Sequence, residues 1–386
     1  MDLPSYDDLD ESQDAVLFLP LEGNWLITGP PGTGKSVMSL FRLQRMNNQG
    51  NQTELLVYNR MLRRWLGNAV EYLNIGGKAF TYHAWFLAFW KKCGFEEGVP
   101  HKEGNRYNYD FKEIKKRIDQ ELGEESIKKV STPFLIVDEG QDLPPDLYFV
   151  AALISRHLTI FADENQSIKN TDKSTIDDIR MNAMITEEFK LSRNYRNSKQ
   201  IAELARELFP GSEDELPDLP KREGEEPQIQ IFDRPNSKAG VSAQQDRIIT
   251  EAINNSGDRI GIFLPRVGMV ERWGEKLEQE LSPKGIKVYT YYSKLPNEEK
   301  ENINFTEPGV FIAHWRNAKG LEFDTVFCPQ MQNKGWPDPS NSGEGKHIYY
   351  VLVSRARTKL YFQYYGDETP TVFNRFPEDG IEWRDL

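Results

Sequence analysis

One stretch constrains the fold more than any other, residues 24–36, NWLITGPPGTGKS. The apolar run Trp25-Leu26-Ile27 is short enough for a buried strand. It breaks at Gly29-Pro30-Pro31-Gly32 and restarts as the amphipathic segment Val37-Met38-Ser39-Leu40-Phe41. Strand, glycine loop and helix in that order is the setting in which G-x-x-x-x-G-K-[ST] cradles phosphates. Gly29, Gly32 and Gly34, interleaved with Pro30 and Thr33, let backbone N–H groups turn inward. The new helix adds the partial positive charge of its N-terminus. Lys35 is expected to reach the β- and γ-phosphates of ATP, and Ser36 to hold Mg²⁺.

The rest of the chain is long enough for about two domains at 386 residues. Its net charge of −12 advertises no global attraction for nucleic acid, which leaves room for a local basic groove. Two distant cysteines, Cys93 and Cys328, make no disulfide or metal pattern and suit a reducing cytoplasm. No apolar run of about 18 residues and no basic-then-apolar leader is present, so no membrane association is expected.

Apolar runs alternate with helical patterns through the first half. Glu54–Tyr58, Ala79–His83, Phe134–Val137 and Leu158–Ala162 read as strands, with charged helices inserted at about 86–132. The second half repeats the alternation without a phosphate loop, with strands at Ile229–Phe232, Ile260–Leu264, Val288–Tyr292, Val310–Ala313, Thr325–Cys328 and Leu360–Tyr364. The expected fold is α/β, two parallel sheets flanked by helices, with domains at 1–188 and 189–386. One nucleotide site for two such domains suggests ATP in the cleft between them.

At the end of the FLIV run stand Asp138 and Glu139. A carboxylate there can hold Mg²⁺ and its neighbour can take the proton of an attacking water. A pattern further along, Pro337-Asp338 with Glu344-Gly345-Lys346, formally matches a nuclease motif. That chemistry needs adjoining strands, and this segment reads as loop.

Gln13 before GPPGTGKS, VDEGQD at 137–142, ADENQSI at 162–168, SRNYR at 192–196, NAKGLEFD at 317–324 and YVLVSRART at 350–358 follow one another in a telling order. In that order they resemble superfamily 1 helicases of the UvrD, Rep and PcrA kind across nearly the whole chain. The resemblance implies two RecA-like domains with a single nucleic-acid strand running across both. It implies that Gln13 reads adenine and Tyr195 stacks on it, that Glu322 touches the ribose, and that Gln166 senses the γ-phosphate. Arg196 and Arg355 would serve as arginine fingers. The strand path would use Asn59, Arg60, Thr81, His83, Trp85, His314, Trp315 and Arg316. Aromatic faces and cations of this kind suit sequence-independent binding. Trp85 reads equally well as core, whereas Trp315, in a polar stretch, is expected to be exposed.

The chain departs from the family in three places. Lys169-Asn170-Thr171-Asp172-Lys173 stands where relatives carry an aromatic pair with Arg-Gly-Ala. His314-Trp315-Arg316 replaces a Thr-x-His, and about 17 residues join the strand near Tyr292 to Val310 where larger relatives insert a whole domain. The expectation is a compact, monomeric, cytoplasmic ATPase that translocates on single-stranded nucleic acid, DNA before RNA, with direction open. The alternative is a nucleotide-controlled switch or motor subunit acting on a protein partner such as a nuclease or loader.

Overall fold

The computed structural model describes residues 5–386 apart from 59, 105–107, 124–126, 128–129, 164–172, 212–215, 234–236, 293–294, 297–302, 305–306 and 339–341. The chain divides into two compact units, Met1–Ser192 and Arg193–Leu386.

In the first unit, strands β1 (Asn24–Thr28), β2 (Thr53–Val57), β3 (Lys78–Thr81), β4 (Thr132–Val137), β5 (Ser155–Ala162) and β6 (Glu187–Lys190) form one sheet in the order β3-β2-β4-β5-β1-β6. Every pairing in it is parallel. A parallel sheet buried on both faces needs apolar residues in both directions. Trp25, Ile27 and Ile136 accordingly pack on one side with helix α2 (Lys35–Asn48), which follows the short α1 (Glu11–Leu17) in the chain. Leu26, Leu135 and Val137 pack into the opposite cluster with Phe86, Trp90 and Tyr148. All strands point the same way, so the segments leaving β1, β2, β3, β4 and β5 emerge at one edge of the sheet, where ligands of α/β proteins bind.

The second unit holds β7 (Gln228–Phe232), β8 (Arg259–Leu264), β9 (Val288–Tyr291), β10 (Gly309–His314), β11 (Phe323–Cys328), β12 (Ala356–Tyr365) and β13 (Glu382–Asp385), ordered β13-β7-β12-β11-β8-β10-β9 and again all parallel. Its core joins Ile260, Ile262, Val310, Ile312 and Phe327 to Trp273 and Leu277 of the helix Val267–Leu281.

Three local expectations change. The segment 79–83 is a strand only to Thr81, because Thr81 caps a helix that starts at Tyr82. β6 belongs to the first sheet, so the division between units follows it. The segment expected as loop around Glu344–Lys346 lies in the helix Ser342–Val353, which still denies the nuclease pattern its adjoining strands. Among the described residues no helix is long and apolar enough to cross a membrane.

Candidate functional site

The phosphate loop leaves β1 and enters α2 through Gly34, whose φ of 87° is left-handed. A Cβ on Gly34 would lie 2.7 Å from the Gln13 side-chain nitrogen, and one on Gly29 would lie 2.6 Å from the Leu191 carbonyl oxygen. Both positions therefore require glycine, one for conformation and space, the other for space. Gln13 sits in the short helix Glu11–Leu17 and is buried. Its Nε2 donates to the Thr33 carbonyl at 3.1 Å, and its Oε1 accepts the Asp10 N–H at 3.3 Å. The residue expected to read adenine thus braces the loop as well. Arg42, fully buried, ties α2 to the rest of the unit. It donates to Thr159 Oγ1 at 2.9 Å and to the carbonyls of Leu19 and Pro20 at 3.0 and 2.6 Å.

Lys35 is 6% exposed. Its ammonium donates to the Gly29 and Pro30 carbonyls and lies 3.5 Å from Asp163 Oδ2. Asp138, at the end of β4, is 0% exposed, and neither carboxylate oxygen has a hydrogen-bond partner of good geometry. Burial, then the neighbouring Glu139 charge, pushes its carboxyl up to about 7, while the nearby Ser36 hydroxyl and Lys35 pull the other way. A buried carboxylate that lacks a well-formed hydrogen bond on either oxygen, beside a hydroxyl, is the donor set of a hard divalent cation. The residues fit Mg²⁺ on that ground.

Glu139 takes a left-handed backbone, φ 55°, which is uncommon for a side chain of this length and costs energy held by its surroundings. Those surroundings include Gln141, fully buried, whose Nε2 donates to Glu139 Oε2 and whose Oε1 accepts the Asp163 N–H at 2.8 Å. Gly140 leaves no space for a side chain, since a Cβ would stand 2.7 Å from the Tyr148 hydroxyl. Gln141 and Asp163 were given no role of their own from the sequence, although they stand within the VDEGQD and ADENQSI stretches at the ends of two apolar runs.

In the second unit, three motifs converge on one turn. Arg196 pairs with Glu322 and donates from Nη1 to the Ser354 carbonyl at 3.2 Å, leaving its buried Nε without a partner. Burial would raise the Glu322 carboxyl, but the Arg196 guanidinium outweighs it and holds that carboxyl below its usual range. Arg355 is 1% exposed, and it donates to the Val351 and Leu321 carbonyls at 2.9 and 3.3 Å and to Ser354 Oγ at 2.9 Å. The resemblance implies a guanidinium presented to phosphate; here it is buried, and these three bonds go to residues of the second unit. Tyr195 is exposed, with Arg193 5.3 Å from its ring centre.

Residues expected on a strand path fall into separate classes. Trp85 is core: it is buried and its indole donates to Glu54 Oε2 at 2.7 Å. Trp315 is also buried, against expectation, because a single 3-10 turn folds its indole under the Gly335 carbonyl, a donor–acceptor distance of 3.2 Å. Arg316 remains exposed over its ring, and His314 is half-buried, with Nδ1 accepting the Arg316 N–H. His83 lies half-buried against Tyr82 and Tyr109, beside Thr81. Tyr58, missed in the sequence, is 39% exposed at the end of β2 and stacks on Tyr82. Asn59 and Gln166 lie outside the described residues, as does the Arg60 side chain. A cavity of about 920 Å³ at the other end of this sheet, lined by Glu54, Phe80, Trp85 and Thr132, includes none of the phosphate-loop residues.

Residues 13–172 match the AAA domain family, and residues 267–367 match the UvrD-like helicase C-terminal domain family. Together they imply nucleotide binding and an ATP-dependent helicase or translocase. No curated protein matches the chain. Among solved structures, one similar chain is Mss116p bound to ssRNA and AMP-PNP, at 13% identity and TM-score 0.51, covering 98% of this chain and 77% of that one. That likeness shows the fold, two RecA-like domains. Another is the C-terminal domain of a possible DNA helicase from Lactobacillus plantarum WCFS1, at 23% identity and TM-score 0.34, covering 49% of this chain and 98% of that one. With an AAA domain carrying the phosphate loop and a UvrD-like helicase C-terminal domain after it, the chain is a superfamily 1 helicase-like protein of the UvrD kind.

Proposed function

We propose that this chain hydrolyses ATP with Mg²⁺ and uses the cycle to step along single-stranded nucleic acid, DNA in preference to RNA. The observation that carries the reading is the uncommitted, fully buried Asp138 carboxylate beside Ser36, one residue from Glu139. Such a group is costly to keep in an apolar interior and stabilises nothing by itself. Mg²⁺, when bound, supplies charge neutralisation at the phosphates, and Asp138 and Ser36 would hold it.

Lys35 and the inward N–H groups of the loop bind the triphosphate. Gln13 keeps a second Nε2 hydrogen and an Oε1 lone pair for the adenine edge, and exposed Tyr195 offers a stacking face. Glu139 takes the proton from the attacking water, and Gln166 reads the γ-phosphate. By the family resemblance, Arg196 and Arg355 would bring positive charge to that phosphate, and Glu322 would meet the ribose, so that hydrolysis waits on the arrival of a guanidinium. Thr81, His83 and Tyr58 of one unit, and His314 and Arg316 of the other, supply stacking faces and cations for the strand, alongside Asn59 and Arg60.

The test is ATPase rate titrated with single-stranded DNA and, separately, RNA. A rise of about tenfold with DNA is expected, of the order an added activating contact supplies. A rate indifferent to both polymers would favour a nucleotide-controlled switch on a protein partner, a reading to which the net charge of −12 lends weight.

A further inference from the structure

We infer that Asp163 is a brake on the phosphate-binding lysine: it holds the Lys35 ammonium in a resting position and thereby sets how tightly the site takes a triphosphate. The inference rests on the reading of the loop as a triphosphate site. An ammonium has three hydrogens to give. At Lys35 all three have acceptors nearby, the Gly29 and Pro30 carbonyls and Asp163 Oδ2. The carbonyls belong to the loop itself. Asp163 comes from another element, the end of β5, and brings a full negative charge into a place where it is 3% exposed. A γ-phosphate approaching Lys35 must take over from that carboxylate and is also repelled by it.

Asp163 is held where it is by a second device. Gln141 spends one end of its amide on the Asp163 N–H and the other on Glu139. Its own carbonyl accepts the Ser174 N–H at 3.2 Å, which ties the strut to the chain beyond 172. The lysine, the brake and the water-activating carboxylate are therefore linked in series: Lys35–Asp163–Gln141–Glu139. Gln141 acts as a positioning residue in this chain, with no contact to the phosphates required. A displacement of Lys35 toward phosphate loosens Asp163, and the same strut reaches Glu139.

The test measures equilibrium binding of a fluorescent ATP analogue in EDTA, without divalent metal, so that hydrolysis and metal coordination play no part. Asp163→Asn keeps size and hydrogen-bonding capacity and removes the charge. Its affinity is expected to rise about tenfold, of the order of one released buried ion pair. In a Lys35→Ala background the same substitution should change affinity less than about twofold, because the coupling runs through the ammonium. An equal gain in both backgrounds, or a weaker Asp163→Asn, overturns the brake. Failure of Lys35→Ala itself to weaken binding would instead remove the triphosphate reading on which the brake depends. Gln141→Ala adds a readout that simple damage does not produce: tighter binding with a lower kcat. Loss of both together removes Gln141 from the chain of contacts.

Discussion

The two units treat their polar motif residues in opposite ways. In the first, one buried group is left with capacity to spare: Asp138 has no hydrogen-bond partner of good geometry, and its neighbour Glu139 sits on a backbone that its surroundings must hold in place. In the second, Arg355 is spent on two carbonyls and a hydroxyl of its own unit, and Arg196 rests on Glu322. Buried groups with unused capacity point to a missing ligand, whereas satisfied ones hold a fold together. On the proposed function, the first unit is the receptor for phosphate and metal. The second is built first as a rigid turn on which three motifs meet, with the buried Arg196 Nε still short of a partner.

The strongest way to break this contrast is to remove the chemistry of the receptor without touching its packing. Lys35→Ala and Glu139→Gln should each lower steady-state ATPase by about a thousandfold or more, the size associated with losing a phosphate clamp or a positioned base. Circular dichroism should stay close to the parent in both, and the thermal melt close to it for Glu139→Gln, whereas Lys35→Ala leaves Asp163 buried without its ammonium and lowers the Tm. Normal turnover in either variant would end the assignment of the site.

Next in size is a stability effect placed in the other unit. Arg355→Ala takes the donor from the Leu321 carbonyl, at about 1–3 kcal/mol for a buried group so orphaned, and empties a fully buried side-chain volume, while the Ser354 hydroxyl still donates to the Val351 carbonyl at 2.8 Å. Urea melts should show a loss of about 3 kcal/mol or more. Arg196→Ala, by contrast, should cost about 1 kcal/mol because its partner Glu322 is a third exposed, with turnover falling far more than stability. Equal stability losses for the two would erase the distinction between a framework arginine and a presented one.

The opposite sign is expected at Asp138. Asparagine there removes a buried charge and keeps the shape, so the metal-free protein should gain about 1–2 kcal/mol, or about 3–6 °C in Tm, while ATPase is lost. Adding Mg²⁺ should raise the Tm of the parent and leave that of Asp138→Asn unchanged. A destabilised Asp138→Asn would mean that the carboxylate is a structural member after all.

How far these features could be read from residues alone depended on whether their cause was local. The glycine loop was legible because Gly34 needs a left-handed backbone and its neighbours form strand and helix by their own periodicity. Central strands such as Phe134–Val137 announce themselves by continuous apolar runs. Edge strands do not: Glu187–Lys190 and Glu382–Asp385 are largely exposed and become strands because Trp25 and Ile229 offer them a ladder. Trp315 misled for the same reason, since polar neighbours in sequence say nothing of a Gly335 carbonyl twenty residues on. Gln141 and Asp163 needed β4 and β5 to be laid side by side before either had a visible partner.

The smallest effect sharpens the comparison where it is weakest, at the nucleic-acid surface. Arg316 is exposed and its guanidinium lies 5.0 Å from the Trp315 ring centre, a contact worth about 0.5–1 kcal/mol at an open site. Arg316→Ala should therefore leave stability within about 1 kcal/mol of the parent. If the side chain meets a phosphate, binding to single-stranded DNA should weaken alike for every sequence, and the slope of log affinity against log salt should fall by about 0.7. The Trp315 ring beneath should matter in the other currency, stability, because it is buried and hydrogen-bonded. Trp315→Ala is expected to cost about 3–5 kcal/mol. An unchanged salt slope in Arg316→Ala would take this turn off the strand path and leave His314 as the residue to test at the end of β10.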